Sequence, residues 1–176
     1  SAAQGPTLIV VVEDAPPPPP PARIVVARQR VDPARPLATA KATSYLVSLL
    51  ALAEARAAGG DEALLLDPAG HVAEAATSNV FVVRDGAVTT PPIATGALPG
   101  VTREAVIACA RAAGLALREA AITRAAIEVA DEVFVTNSVV GVRAVASVAP
   151  WWAASGAVPG AVTTVVAAAY AALVRA

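Results

Sequence analysis

The chain has thirteen lysine and arginine side chains, and only one of them, Lys41, is a lysine. Arginine carries the same charge, but its guanidinium is not deprotonated in proteins, whereas a lysine amine can lose its proton and attack a carbonyl carbon. Two interpretations are open at this point. Either an Ala-, Arg- and Pro-rich composition has lost lysine for reasons unrelated to the protein, or Lys41 is kept for its amine.

Three other places carry polar groups that could take part in chemistry. Glu74 follows an apolar run and precedes AATSN, in which Asn79 could cap a turn. The segment GALPG precedes a predicted helix that begins near Thr102, and backbone amides at a helix start can bind phosphate. A polar turn, Asn137-Ser138, follows the run EVFVT. Each could equally be an ordinary surface carboxylate, helix start or turn.

An amine, a carboxylate, a helix start and a second polar turn are, as a set, the groups needed to hold pyridoxal phosphate. The amine combines with the aldehyde, the carboxylate pairs with the ring nitrogen, and amides and hydroxyls bind the phosphate. None of these features is specific alone, so the prediction rests on their occurrence in one chain.

The periodicity of apolar residues predicts the first elements. Val- and Ile-rich runs predict strands at residues 7–13 and 23–28, joined by the proline run 16–21, which is either a stiff surface loop or a ligand for a partner. Helical spacing predicts a helix over residues 43–58, with Lys41 just before it or in its first turn. The spacing is carried by Leu46, Leu49, Leu50, Ala53 and Ala57.

The rest of the chain predicts an antiparallel meander followed by irregularly alternating strands and helices. The predicted strands are 63–66, 71–74, 80–83, a short strand after the turn at Asp85-Gly86, 115–119, 133–136 and 141–148. The predicted helices are 102–113, 124–130 and 158–175. This order favours an α+β fold over a doubly wound sheet, and a length of 176 residues fits one domain.

Composition narrows the function classes. Charged residues make up 15% of the chain and its net charge is -1, so nothing favours binding to nucleic acid or an anionic membrane. Apolar runs are all interrupted before the roughly 20 residues of a membrane span, and we expect a cytoplasmic protein. One cysteine, Cys109, and one histidine cannot build a disulfide or a structural zinc site.

Because the chain contains no methionine, we expect it to be part of a longer protein.

Five ordered blocks of the sequence resemble one enzyme family. The blocks are KATSY, GHVAEAATSNVFVV, TPP, GALPGVTR and ADEVFVTNS, within residues 6–148. Their order and spacing are similar to those of the class IV (fold-type IV) pyridoxal-phosphate enzymes, which include branched-chain and D-amino acid aminotransferases and aminodeoxychorismate lyase. The resemblance implies the family's large cofactor-binding domain, a mixed sheet or pseudo-barrel with flanking helices, in a homodimer.

The resemblance also implies roles for three residues around the cofactor ring. Lys41 stands where the family has its Schiff-base lysine. Tyr45 stands where many members have a tyrosine near the phenolic oxygen of the cofactor. Glu74 matches the carboxylate that pairs with the pyridine nitrogen and keeps it protonated.

Five further residues match the ring face and the phosphate site. Leu98 corresponds to a leucine that packs on the ring. Val101 and Thr102 correspond to the family's phosphate turn, and Asn137 and Ser138 to its second phosphate turn.

Some features depart from the family pattern. Ala75 replaces a frequent glycine, and Pro99 lies inside the phosphate-turn block. The family's small N-terminal domain, which supplies an arginine to the phosphate, has no counterpart in these residues. We therefore expect this chain to be a single cofactor-binding domain, residues 1–176, that binds pyridoxal phosphate weakly by itself.

The sequence leaves three functions open. The first is an aminotransferase acting on an amino acid and a 2-oxo acid, which Tyr45 favours. The second is an aminodeoxychorismate lyase, which Asn137 favours because asparagine is common at that turn in lyase-like members. The third is a domain that folds, and dimerises, without catalysing a reaction.

Overall fold

The computed structural model describes residue 5 and residues 8–14, 17–35 and 40–175. Within these residues, nine strands form one mixed sheet with four α-helices around it. The strands are β1 (Ala22–Arg30), β2 (Glu62–Leu66), β3 (Val72–Ala75), β4 (Asn79–Arg84), β5 (Ala87–Thr90), β6 (Leu117–Glu119), β7 (Glu132–Asn137), β8 (Gly141–Ala149) and β9 (Trp152–Ala153). The helices are α1 (Leu46–Ala57), α2 (Val101–Ala112), α3 (Arg124–Glu128) and α4 (Ala161–Arg175).

The sheet has the order β3-β2-β1-β8-β7-β4-β5-β6, with β9 paired to β8. β1 runs parallel to both β2 and β8, while β7 pairs antiparallel with β4 and β8. This mixture of parallel and antiparallel pairs, with helices flanking the sheet, confirms the predicted α+β fold. The register of β4 on β7 pairs Asn79 with Thr136, which brings the β3–β4 connection beside the β7–β8 turn.

Three groups of buried side chains hold the helices on the sheet. Residues of β1, β2, β4, β7 and β8 form the first, together with Ile122 and Ile127. α1 contributes Ala51 and Ala55 to the second, against β1 and β2. The third joins α2 and α4 to β4 and β7, where the rings of Phe81 and Phe134 stack with their centroids 4.8 Å apart.

The predicted strand at residues 7–13 is wrong. Its described part, residues 8–13, has no regular structure, and Leu8 and Val12 are 87% and 90% exposed. Strand propensity alone does not form a strand, because backbone groups need a pairing partner, and within the described residues no strand pairs with this segment. The proline run beside it has no regular secondary structure over its described residues, 17–21, and Arg143 Nε donates to Pro20 O at 2.8 Å.

The helix predicted over residues 43–58 is present, and the leucines that carry its helical spacing do not face the sheet. The side chains of Ala51 and Ala55 are buried, whereas Leu46, Leu49 and Leu50 are 64%, 54% and 52% exposed. The small alanines let the helix backbone approach β1 and β2 closely, and the leucine stripe therefore points away from the sheet. Lys41 lies before the helix, as predicted.

The other predicted elements are present, with shifted ends. The last helix begins at Ala161 and not at residue 158, because Pro159 and Gly160 precede it and Glu132 binds its first amides. The structure adds β9 and a 3₁₀ turn, Ile93–Thr95, that the sequence did not predict. Among the described residues, no helix is long and apolar enough to cross a membrane.

Candidate active site

Glu74 lies on β3 with buried neighbours on both sides, Ala73 and Ala75. The backbone amide of Leu98 donates to its Oε2 at 2.8 Å. Within the described part of the chain, the second carboxylate oxygen has no hydrogen-bond partner in the protein. One oxygen is therefore held in place while the other can accept a bond from a bound molecule.

Burial is the main influence on the pKa of Glu74, and it raises that pKa because the charged carboxylate loses solvation. The hydrogen bond from Leu98 and the positive charges of Arg35 and Lys41 act in the opposite direction. Because its charge lowers the pKa of Glu74, Lys41, the only lysine of the chain, lies near this carboxyl group.

Lys41 and Tyr45 are close to one another in the segment that precedes α1. Lys41 Nζ lies 5.6 Å from the centroid of the Tyr45 ring. The Tyr45 hydroxyl donates to the carbonyl oxygen of Ala76, two residues after Glu74 along the chain. Burial raises the pKa of Tyr45, and a hydrogen bond with Ser48 offsets part of that effect. Tyr45 thus keeps its proton and ties the lysine segment to the end of β3.

The loop before α2 is held by two polar side chains of the sheet. Leu98 donates its amide to Glu74, and its carbonyl oxygen accepts from Asn79 Nδ2 at 2.8 Å. A Cβ at Gly100 would overlap Asn79 Oδ1, so the backbone approaches this side chain as closely as only glycine allows. Asn79 therefore positions the loop, a role that the sequence indicated only as a turn cap.

The N-terminus of α2 forms one of the two predicted phosphate turns. Gly100 is the residue before the helix, and no side chain of the described residues caps the first turn. Thr102 is buried, and its Oγ1 lies 3.4 Å from Ser138 Oγ. Val101 has an exposed side chain, so its contribution to the turn is its backbone. The structure thus brings the two turns together from positions 36 residues apart.

Asn137 uses its side chain to shape the second turn. Its Oδ1 accepts from the amides of Val139 and Val140, both at 2.9 Å, and its Nδ2 donates to Ser78 Oγ at 3.0 Å. Ser138 is exposed and is the residue of this pair that faces Thr102. Asn137 therefore builds the turn, and Ser138 presents a hydroxyl from it.

The sequence did not identify three further residues at this end of the sheet. Ser48 binds Tyr45 from α1, and Glu62 is a buried carboxylate close to both Tyr45 and Glu74. Ser78 connects Asn137 to Glu62. The available signal for Glu62 was a charged residue at the start of the apolar run EALLL, where it would otherwise be expected to face water.

Comparison with known proteins identifies the family. The sequence profile of Amino-transferase class IV matches residues 1–148 of the chain. The chain belongs to the class IV aminotransferase family. This class IV chain is 41% identical over 113 residues to the branched-chain-amino-acid aminotransferase of Escherichia coli, a match that covers 64% of this chain and 37% of the relative.

Solved structures of the family share the fold. The branched-chain amino acid aminotransferase of Thermobaculum terrenum in its PLP form superposes with a TM-score of 0.82 and 33% identity, over 88% of this chain and 51% of that one. A candidate 4-amino-4-deoxychorismate lyase from Legionella pneumophila superposes with a TM-score of 0.74 and 32% identity, over 79% of this chain and 52% of that one. The class IV chain thus spans about half the length of the solved structures and less of its curated relatives.

Proposed function

We propose that this chain is a single cofactor-binding domain of a pyridoxal-phosphate-dependent aminotransferase, which moves an amino group between an amino acid and a 2-oxo acid. The proposal rests on the surroundings of Glu74. One oxygen of this partly buried carboxylate is bound by Leu98, and the other has no protein partner in the described residues. Lys41, the only lysine of the chain, lies near it. Membership of class IV supports the same conclusion.

The residues of the site fit pyridoxal phosphate. The free oxygen of Glu74 suits the ring nitrogen, and Lys41 would hold the cofactor covalently through its amine. The α2 amides, including that of Val101, and the hydroxyls of Thr102 and Ser138 would bind the phosphate, with Asn137 shaping the turn.

Leu98 and Tyr45 complete this assignment. Leu98 would contact the ring face, because its backbone is fixed by Glu74 and Asn79 at the edge of the site. Tyr45, which keeps its proton, would lie near the phenolic oxygen of the cofactor.

When bound, pyridoxal phosphate supplies an electron-withdrawing ring that stabilises negative charge at the substrate's α-carbon. Glu74 would hold a proton at the ring nitrogen, since an ionised carboxylate there favours the protonated nitrogen. The Lys41 amine would take a proton from the substrate's α-carbon and return it during the reaction. Arginine could not do this, because its guanidinium does not release its proton.

Borohydride reduction tests the proposal directly, because it makes a bond between the cofactor and a lysine permanent. We expect mass spectrometry to find the label on Lys41 in the protein saturated with pyridoxal phosphate, and none in Lys41→Arg. The double variant Lys41→Arg/Arg56→Lys restores one lysine at an exposed position of α1 and should stay unlabelled. Labelling of the double variant, or of the N-terminal amine alone, would contradict the proposal and favour a domain without catalytic function.

The substrate class follows from the relatives, several of which are named branched-chain-amino-acid aminotransferases. We therefore propose leucine, isoleucine and valine as amino donors. Transfer of their amino group to 2-oxoglutarate by the whole protein is the assay, with arginine as a donor that should react slowly.

Lyase activity is the second candidate, favoured by the similarity to the Legionella protein and by Asn137. A lyase would release pyruvate and 4-aminobenzoate from 4-amino-4-deoxychorismate, and it would leave the branched-chain amino acids unchanged. Measuring the release of 4-aminobenzoate and the transfer of amino groups from branched-chain amino acids in the same preparation separates the two functions.

We also propose that the protein is a homodimer in which the exposed leucine stripe of α1 is buried. Leu46, Leu49 and Leu50 form an apolar face without charged residues among them, at spacing that keeps them on one side of the helix. Apolar faces of this kind mark interaction sites, and symmetric dimers bury the same surface of both copies.

A further inference from the structure

Glu62 is a buried carboxylate that the proposed reaction does not use. It begins β2 and is 4% exposed. Its Oε1 accepts from the amide of Ala63 at 2.9 Å. Its Oε2 accepts from the hydroxyl of Thr77 and lies 3.4 Å from Ser78 Oγ, a long contact for two oxygens. A buried carboxylate needs partners of this kind because its desolvation is costly.

The contacts of Glu62 continue through Ser78 to the β7–β8 turn. Ser78 Oγ accepts from Asn137 Nδ2 at 3.0 Å, and Asn137 Oδ1 accepts from the amides of Val139 and Val140. A run of side chains thus leads from the start of β2, across the β3–β4 connection, to the turn that presents Ser138.

The carboxylate sets the direction of these hydrogen bonds. An ionised carboxylate can only accept, so it orients the proton of Ser78 towards β2 and leaves the lone pairs of Ser78 for an N–H donor. The amide of Asn137 then turns its Nδ2 to Ser78 and its Oδ1 to the turn amides. With the amide reversed, Oδ1 would face an oxygen and the two turn amides would lose their acceptor.

We propose that Glu62 is a positioning residue for phosphate binding: through Ser78 it fixes the orientation of Asn137, and so holds Ser138 beside Thr102. This proposal rests on the proposed function, because the turn is taken to bind the cofactor phosphate. Glu62 itself touches neither phosphate turn. Its effect through Ser78 and Asn137 should act on the phosphate end of the ligand, while its charge also lies close to Tyr45 and Glu74 at the ring end.

Two ligands and two variants test this role. Pyridoxal phosphate and pyridoxal differ only by the phosphate, so the dissociation constant of pyridoxal divided by that of pyridoxal phosphate reports the phosphate site. We expect Glu62→Gln and Ser78→Ala each to reduce that ratio about tenfold, the loss of roughly one hydrogen bond. The affinity for pyridoxal should be unchanged in Ser78→Ala, which keeps the carboxylate of Glu62 beside Glu74 and Tyr45. Ser78→Ala keeps the test decisive if Glu62→Gln does not fold.

Thr77→Val is the matched control. It removes a hydroxyl that binds the same carboxylate oxygen and lies 3.4 Å from Ser78 Oγ, but that makes no hydrogen bond to Asn137. We expect it to keep the ratio of the wild type, and Ser78→Thr, which retains the hydroxyl, should restore most of what Ser78→Ala loses.

The possible results separate the two proposals. A wild type with no preference for pyridoxal phosphate over pyridoxal would contradict the proposed function. A wild-type preference that both variants retain would overturn the role of Glu62. Equal loss of both ligands in the variants would also overturn it, because a residue that only stabilises the fold would act on both alike.

Discussion

Burial disfavours the charged form of Glu74, and neighbouring groups of the protein offset part of that effect. Desolvation raises its pKa, and the amide of Leu98 with the charges of Arg35 and Lys41 reduces that shift without cancelling it. The unfolded chain loses this proton at the ordinary glutamate pKa, whereas the folded protein keeps it to higher pH. The contribution of Glu74 to stability is therefore most favourable below the ordinary pKa and declines as pH rises towards the folded pKa.

The substitution Glu74→Gln should remove this pH dependence. We expect the difference in unfolding free energy between variant and wild type to shift in favour of the variant as pH rises through that window, because glutamine does not ionise. Urea unfolding without cofactor, between acid and neutral pH, is the measurement. Glu13→Gln, at an exposed position, should follow the wild type at every pH. A constant difference between Glu74→Gln and wild type would mean that burial does not act on this carboxyl group.

Gly100 is required for the close approach of its loop to Asn79. The added Cβ of Gly100→Ala would overlap Asn79 Oδ1 and displace either the side chain or the loop. We expect a loss of about 1–3 kcal/mol in unfolding free energy, as for other overpacked sites, and weaker binding of pyridoxal phosphate. Gly156→Ala adds the same methyl group where nothing lies within 4 Å, and it should leave both properties unchanged. If Gly100→Ala binds pyridoxal phosphate with wild-type affinity, the loop before α2 tolerates this displacement.

At the scale of elements, α4 is attached to the sheet through its N-terminus. Glu132 on β7 accepts from the amides of Val162 and Thr163 at 2.9 Å and 2.8 Å, which places a carboxylate at the positive end of the helix. Gly160 lies against the same side chain, where a Cβ would overlap the carboxylate. α4 in turn packs on β8, and Tyr170 contacts Gly141 at the end of the β7–β8 turn.

Removal of this cap should loosen α4. We expect Glu132→Ala to lower the unfolding free energy by about 1–2 kcal/mol, the range of a lost N-terminal cap, and Glu132→Gln to lower it less because one acceptor remains. Glu128→Ala breaks an exposed pair with Arg124 and should cost no more than about 0.5 kcal/mol. Thermal and urea unfolding measure these differences. Equal effects of Glu132→Ala and Glu128→Ala would contradict a capping role.

At the scale of the whole molecule, the leucine stripe of α1 is an apolar surface that is exposed to solvent in an isolated chain. If two copies bury it, the double variant Leu49→Glu/Leu50→Glu should be a monomer at concentrations where the wild type sediments as a dimer, because each copy would bury two charges. Leu173→Glu, on α4 with a similar exposure of 53%, should remain a dimer. A monomeric wild type would contradict the dimer proposal, and a dimeric double variant would place the interface elsewhere.

Local signals were sufficient for most elements of the molecule. The signals for β2, β4, β7 and α2 act over a few residues, so these elements were predicted close to their observed positions. The predicted strand at residues 7–13 failed because its apolar run has no partner in the described sheet. The spacing of leucines in α1 shows that the helix is amphipathic, and not which side meets the sheet.

The sequence by itself determined the chemical groups of the site and their family, since the lone lysine, the glutamate and the two turns are readable as residue types in a fixed order. Only the tertiary structure decided how those groups are held. Leu98 donates to Glu74, Thr102 lies beside Ser138, and Asn137 donates to Ser78, and these contacts join residues 24, 36 and 59 positions apart. The pairing of β4 with β7 and the seating of α2 create these contacts, because hydrogen bonds depend on distances of about 3 Å that no local pattern of residues specifies.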